Sequence, residues 1–125
     1  MKVLIVDDEF IVAKALARAF ESRNHQVVLA HTGEEGVEKW ESFAPEVVLL
    51  DVVMPGLTGP QVIEEFRRRQ DSNSPLSSAK IVLMTAHSGV RDRAAAHGLG
   101  ANEFIQKPFE DIFSLVTQIE KMVVR

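Results

Sequence analysis

The sequence lacks cysteine altogether among its 125 residues. This absence excludes disulfide bonds, thiolate metal ligands and cysteine nucleophiles, and it fits a reducing compartment, so we expect a cytoplasmic protein. No apolar run approaches the roughly 20 residues that a membrane-spanning helix needs. The first residues, Met1–Val6, are too few and too soon followed by acidic residues to form a secretory signal.

An excess of positive charge is also missing, because the formal net charge is −4 and the pI is about 5.5. Domains that bind nucleic acid usually carry a basic surface. The one basic cluster, Arg67-Arg68-Arg69, falls on a predicted helix and is interpreted as its solvated face. We therefore expect no direct nucleic-acid binding and no membrane binding by this chain.

Short apolar runs alternate with amphipathic segments along the chain. The runs are rich in Val, Ile and Leu and predict five strands, at Lys2–Val6, Gln26–Ala30, Val47–Leu50, Ile81–Met84 and Glu103–Ile105. The intervening segments have helical spacing, and a short helix is predicted around Ala94–Ala96 after a surface loop at Asp71–Ala79. Thr32 with Glu35 resembles a capping box. Five βα units predict one α/β domain over residues 1–125, with helices on both faces of a parallel sheet.

Polar residues follow four of the five predicted strands, where parallel strands share an edge. They are Asp7, Asp8, Asp51, Thr85 and Lys107. Neighbouring carboxylates repel one another unless a cation lies between them, and Mg²⁺ suits carboxylates, water and phosphate as ligands. A lysine could serve as the point charge for an anion. The residues alone therefore predict a magnesium-dependent phosphate site.

Each of these residues also has an ordinary structural interpretation. An aspartate at a strand end commonly caps a helix or a turn. Thr85 alone would be interpreted as a capping hydroxyl, and Lys107 alone as a solvated lysine. Met54 and Phe104 would be interpreted as core residues. The coincidence at corresponding strand ends is what favours a shared site.

Four segments together resemble the receiver domain of two-component response regulators, over essentially the whole chain. They are Val6-Asp7-Asp8-Glu9, Leu49-Leu50-Asp51-Val52-Val53-Met54-Pro55-Gly56-Leu57-Thr58-Gly59, Met84-Thr85-Ala86, and Gly100-Ala101-Asn102-Glu103-Phe104-Ile105-Gln106-Lys107-Pro108-Phe109. The resemblance implies a flavodoxin-like (βα)5 fold with strand order 2-1-3-4-5 and a site where strands one and three diverge.

The resemblance also implies roles for individual residues. Asp51 is the expected phosphoacceptor, assisted by Lys107 and Thr85, which contact phosphoryl oxygens. The expected metal is Mg²⁺, with Mn²⁺ as a substitute, and its expected ligands are Asp7, Asp8, Asp51 and the backbone carbonyl of Val53. The Lys107–Pro108 bond is expected to be cis, a form available mainly before proline.

Two further features follow from the same resemblance. Thr85 is expected to move toward the phosphoryl group and Phe104 to fill the space behind it, which would alter the face built from the predicted fourth helix, the fifth strand and the last helix. Val53 and His87 occupy positions that, in this family, flank the attacking water and tune the lifetime of the acyl phosphate. His87 could orient this water or be a solvated side chain, and we favour the solvated interpretation. We expect apolar Val53 to slow hydrolysis.

The functional hypothesis is a phosphorylation-activated switch. Its expected partners are a histidine kinase or histidine phosphotransfer protein and a downstream output domain or protein, and a phosphorylation-dependent homodimer stays open. The chain would not be an enzyme in the usual sense, because it would catalyse only its own phosphorylation and dephosphorylation. The alternative is a phosphorylation-independent interaction module. A P-loop enzyme or phosphatase is disfavoured because its motifs are absent.

Met1, directly before the first predicted strand, favours a native N-terminus. The sequence ends after the last predicted helix, which leaves open a stand-alone receiver or the first part of a longer protein.

Overall fold

A computed structural model of the chain describes residues 1–69, 79–86 and 101–123. These ranges contain five strands: β1 (Lys2–Val6), β2 (Gln26–Ala30), β3 (Val47–Asp51), β4 (Lys80–Thr85) and β5 (Glu103–Gln106). They also contain four helices: α1 (Phe10–Glu21), α2 (Gly33–Phe43), α3 (Gly59–Arg69) and α4 (Ile112–Val123). The predicted helix around Ala94–Ala96 and residues 71–78 of the predicted loop lie outside the described residues.

The strands form one sheet in the order β2-β1-β3-β4-β5, and every neighbouring pair is parallel. This arrangement confirms the predicted flavodoxin-like strand order. Because β1 has β2 on one side and β3 on the other, the chain runs in opposite directions across the sheet from this point, and a crevice opens at the carboxyl ends of β1 and β3.

Alternating side chains of the central strands build two separate cores. Leu4, Leu50 and their same-face neighbours pack under α2 and α3, where the Trp40 and Phe66 rings stack with centroids 4.0 Å apart. On the opposite face of the sheet, α1 and α4 cover the alternate residues of the same strands, such as Ile5 and Leu49. All five residues of β3 are buried, which explains the uninterrupted apolar run over its first four residues, Val47–Leu50.

Three strands are longer than their apolar runs predict. β3 includes Asp51, β4 includes Thr85 and β5 includes Gln106, because the ladder pairs Asp51 with Met84 and Thr85 with Gln106. Asp7 and Lys107 directly follow their strands, whereas Asp51 and Thr85 belong to the sheet itself. Their backbone positions are fixed by the register of the ladder and not by a loop.

Gly59 allows α3 to begin directly beside the end of β3. A Cβ atom at this position would lie 2.6 Å from the backbone oxygen of Asp51, which is too close for any side chain. The Gly59 N–H instead donates to the Val52 carbonyl at 2.9 Å. The loop after Asp51 is thereby drawn back across the end of the sheet.

The start of α2 agrees in part with the predicted capping box. Thr32 Oγ1 accepts a hydrogen bond from the Glu35 N–H, as the capping box predicts, but the Glu35 carboxylate accepts from His31 N–H, one residue earlier than that motif has it. Arg67, Arg68 and Arg69 are exposed at the end of α3, as predicted. No described helix is both long enough and apolar enough to cross a membrane.

Candidate functional site at the carboxyl edge of the sheet

The strand ladder brings the predicted site residues to one edge of the sheet. Asp7 follows β1, and its N–H donates to the Ala30 carbonyl at the end of β2 at 3.0 Å. Asp51 ends β3 and Thr85 ends β4. Lys107 follows β5, and its N–H donates to the Thr85 carbonyl at 2.7 Å. Four backbone segments that are far apart in the sequence therefore converge on one small region.

The fold buries these side chains. Among the described residues, the buried polar or charged ones are Asp7, Asp51, Thr85 and Lys107, at 0%, 5%, 4% and 8% exposure. Burying a charge costs free energy unless it is paired or bound to a metal. A site that concentrates all four of these residues is therefore a strong candidate for function.

Three carboxylates meet at this edge. Asp7, Asp8 and Asp51 each offer one oxygen, and these oxygens all lie within 4.8 Å of one another. Asp8 is exposed, whereas the other two are buried. The acidic cluster thus has two buried carboxylates and one carboxylate that faces solvent.

Lys107 is the cation that faces this cluster. Its Nζ lies 2.7 Å from Asp7 Oδ2, 2.8 Å from Glu9 Oε1 and 3.4 Å from Asp51 Oδ2. Glu9 was not among the residues that the sequence assigns to the site, although it stands directly after the acidic pair. No pattern in the sequence indicates that the Glu9 side chain reaches Lys107, which lies 98 positions further along the chain.

The electrostatics of the cluster are unbalanced. Burial and, secondly, the negative charge of Asp7 raise the pKa of Asp51 to about 7, against the opposing pull of Lys107. Burial by itself would lower the pKa of Lys107, but its contacts with Asp7 and Glu9 and the charge of Asp51 hold that pKa above its ordinary value. One firmly protonated lysine therefore faces more negative charge than it can neutralise.

The residues present fit a hard divalent cation. Asp7 Oδ2 is buried and accepts no well-directed hydrogen bond from the described residues, although the Lys107 ammonium is near it. Three carboxylate oxygens with a solvent-facing side match the preference of Mg²⁺ for one or two carboxylates together with water and phosphate. Mn²⁺ accepts the same oxygen ligands.

An open cavity of about 270 Å³ lies above the cluster. Its lining includes residues from the ends of β1, β3, β4 and β5, namely Asp8, Glu9, Asp51, Val53, Thr85, Ala86 and Lys107. The side chain of Val53 is 65% exposed. The cavity is thus wide enough for a small anion, with one apolar group on its rim.

The two predicted switch residues occupy neighbouring strands. Phe104 is 9% exposed and pairs in register with Leu83, and both belong to the core under α2 and α3. Thr85 follows Leu83 by two residues, so its side chain points to the same face of the sheet. Phe104 therefore lies on the same face as Thr85, level with Leu83 and thus two residues further from the carboxyl edge. The Lys107–Pro108 peptide bond is cis. His87 lies outside the described residues.

Comparison with known proteins agrees with this geometry. The family model described as the response regulator receiver domain matches residues 3–120. The chain belongs to the response regulator receiver family. The receiver is 35% identical over 108 residues to the uncharacterized transcriptional regulatory protein YkoG of Bacillus subtilis, covering 86% of this chain and 45% of that protein. It is 32% identical over 124 residues to the response regulator ArlR of Staphylococcus saprophyticus, covering 99% of this chain and 53% of that protein.

Solved structures show the same fold. A response regulator from Chloroflexus aurantiacus superposes with a TM-score of 0.84 at 28% identity, over 99% of the receiver and 98% of that chain. The chemotaxis protein CheY4 of Vibrio cholerae superposes with a TM-score of 0.87 at 24% identity, over 98% of each chain, and supports the fold alone. The receiver spans about half the length of the curated relatives it matches.

The raised pKa of Asp51 predicts a pH-dependent cost to stability without metal. An acid whose pKa rises from 3.8 to about 7 on folding destabilises the folded state progressively as pH increases through that window. We expect the free energy of unfolding of Asp51→Asn to exceed that of the wild type by up to about 4 kcal/mol at pH 8 in the presence of a chelator, and by much less at pH 5. Urea unfolding of both proteins at the two pH values measures the difference.

The matched control is Asp111→Asn. Asp111 accepts hydrogen bonds from Phe113 N–H, Ser114 N–H and Ser114 Oγ, which lower its pKa below its ordinary value. Any effect of that substitution is therefore constant between pH 5 and pH 8. An Asp51→Asn difference that did not grow with pH would contradict the unbalanced charge at the site.

Proposed function

We propose that this receiver is a phosphorylation-activated signalling switch that takes a phosphoryl group onto Asp51 from a histidine kinase or a histidine phosphotransfer protein. The observation that carries the proposal is the assembly of buried Asp51 with two further aspartates and Lys107 at the mouth of one cavity. Membership of the receiver family supports phosphorylation-based signalling as the general role. The specific residues and partners are our inference.

The proposed reaction is an in-line transfer. A carboxylate oxygen of Asp51 attacks the phosphorus of the donor phosphohistidine, so that an O–P bond forms while the P–N bond breaks. The electron pair of the broken bond returns to the imidazole, which takes up a proton and leaves as neutral histidine. The product is an acyl phosphate on Asp51. Hydrolysis by water later restores the carboxylate and releases inorganic phosphate.

The residues around Asp51 supply positioning and charge. Asp7, Asp8, Asp51 and the Val53 carbonyl would hold Mg²⁺, which when bound neutralises charge on the carboxylate and the phosphoryl oxygens. Lys107 would contact one phosphoryl oxygen as a point charge. Thr85 Oγ1 would donate a hydrogen bond to another oxygen. In this scheme the chain acts only on its own aspartate and turns over no separate substrate.

The proposed switch uses the relation between Thr85 and Phe104. If Thr85 moves toward a phosphoryl oxygen, space opens behind it on the face of the sheet that Phe104 also occupies. Phe104 then moves inward and changes the outer surface of β5 and the adjacent helices. A phosphoryl group biases this equilibrium because it interacts with one state better than with the other.

The output is proposed more generally. We propose that the altered surface binds a downstream output domain or protein, or a second copy of the phosphorylated receiver, and that the receiver itself binds neither nucleic acid nor membrane. The similar protein YkoG is named a transcriptional regulatory protein, which is compatible with a gene-regulatory output for a longer protein.

The first test is phosphorylation by a small donor. The wild type is incubated with acetyl phosphate with and without Mg²⁺, beside Asp51→Asn, and intact mass is measured. We expect a gain of one phosphoryl group that needs both Mg²⁺ and Asp51. The Asp51 carboxylate must be ionised to attack the donor, and a bound cation offsets the repulsion between this carboxylate and the phosphoryl oxygens. Absence of any gain under conditions that label a control receiver would favour the phosphorylation-independent module.

Val53 generates a second prediction. Its exposed apolar side chain lies on the cavity rim two residues after Asp51, where it offers no hydrogen bond to an attacking water. We expect Val53→Asn to shorten the lifetime of the acyl phosphate several-fold, because the amide can orient water. The loss of phosphoryl mass over time measures this lifetime.

Val53→Ala is the control for that measurement, since it widens access without adding a polar group. An Asn variant that loses phosphate no faster than the Ala variant would show that Val53 acts by bulk alone and would refute the prediction.

A further inference from the structure

The side chain of Glu9 does not perform the task that its position suggests. Glu9 is the N-cap residue of α1, with φ −82° and ψ 96°, yet its side chain makes no capping hydrogen bond. The first turn of α1 contains no acidic residue either. The Glu9 carboxylate instead reaches Lys107, with Oε1 and Nζ 2.8 Å apart. It contacts the site's lysine and leaves the helix end uncapped.

Carboxylates surround the ammonium of Lys107 on three sides in this state. Its Nζ donates hydrogen bonds to Glu9 and Asp51, and it lies 2.7 Å from Asp7 Oδ2 as an ion pair without a well-directed hydrogen bond. The contact with Asp51 is the longest of the three, at 3.4 Å. A phosphoryl oxygen that approaches Lys107 therefore competes with these carboxylates, and the withdrawal of one of them favours a close contact.

Glu9 is the partner best able to withdraw. Asp7 is wholly buried, and its Oδ1 already accepts the Glu9 N–H at 2.9 Å. Asp51 would itself carry the phosphoryl group. The Glu9 side chain is 59% exposed, so its carboxylate can return to water without a large desolvation cost. Glu9 is also not one of the three carboxylates whose oxygens cluster as metal ligands.

We propose that Glu9 is a positioning residue that acts as an internal counterion for Lys107, occupying the contact that the phosphoryl group needs and yielding it when the group arrives. This inference rests on the proposed function and deepens it, because Glu9 then hinders the first contact between Lys107 and the phosphoryl group. This hindrance requires direct contact with Lys107, so a carboxylate on a side chain too short to reach Lys107 does not produce it.

Binding of beryllofluoride at saturating Mg²⁺, measured by calorimetry, tests this directly as an affinity and not as an activity. Glu9→Gln removes the charge, and Glu9→Asp keeps the charge but shortens the reach. We expect both variants to bind beryllofluoride more tightly than the wild type, by about fivefold, which is the scale of a partly exposed ion pair.

The control is Glu34→Gln, which removes the same charge from a carboxylate that lies beside Gly56, in the loop after β3, and is not among the three carboxylates around Lys107. We expect its affinity to stay close to that of the wild type. Mg²⁺ binding without the anion and thermal unfolding of each variant are measured in parallel, so that altered metal affinity or loss of fold is seen directly.

Two results would overturn the proposal. Wild-type affinity in Glu9→Asp, with tight binding in Glu9→Gln alone, would assign the effect to net charge. Weaker binding in both Glu9 variants would make Glu9 a helper of the anion or the metal. Failure of the wild type itself to bind beryllofluoride or to accept a phosphoryl group would instead refute the proposed function, and the role of Glu9 with it.

Discussion

The ion cluster around Lys107 is the interaction on which the rest of this structure depends. One ammonium lies within 3.4 Å of carboxylate oxygens from Asp7, Glu9 and Asp51, in a region where most of these groups are buried. The cluster keeps an excess of negative charge, and such costly buried charge is concentrated at functional sites. That excess makes the site receptive to a divalent cation and, through the lysine, to an anion.

The fold positions this cluster at the carboxyl edge of the sheet, with Asp51 at the end of β3 and with Asp7 and Lys107 directly after β1 and β5. Strand β3 is buried on both faces, so Asp51 cannot shift without disturbing the core. Gly59 lets the following helix return close to the Asp51 backbone. The Lys107 N–H is bonded to the Thr85 carbonyl, which ties the lysine to the residue proposed to move on phosphorylation. Rigid strands thus present a site that only a few side chains need to adjust.

Sequence reasoning predicted the strands, because runs of Val, Ile and Leu and their alternation with helices are local signals. The order of the strands came from the resemblance to receiver domains, because local periodicity does not fix strand order. It also placed Asp7, Asp8, Asp51, Thr85 and Lys107 at one edge, since parallel strands share their carboxyl ends. It missed Glu9, because the contact with Lys107 joins residues 98 positions apart and depends on side-chain reach. It also ended β3, β4 and β5 too early, because apolar periodicity does not register polar residues that continue a ladder.

The most direct test of the account is a crystal structure of the receiver with Mg²⁺ and beryllofluoride. The account predicts beryllofluoride on Asp51, Mg²⁺ among Asp7, Asp8 and Asp51, and Lys107 Nζ in contact with a fluorine atom while Glu9 points to solvent. It further predicts Thr85 turned toward the fluoride and Phe104 turned inward. Beryllofluoride bound elsewhere, or Lys107 still paired with Glu9 in the complex, would contradict the account.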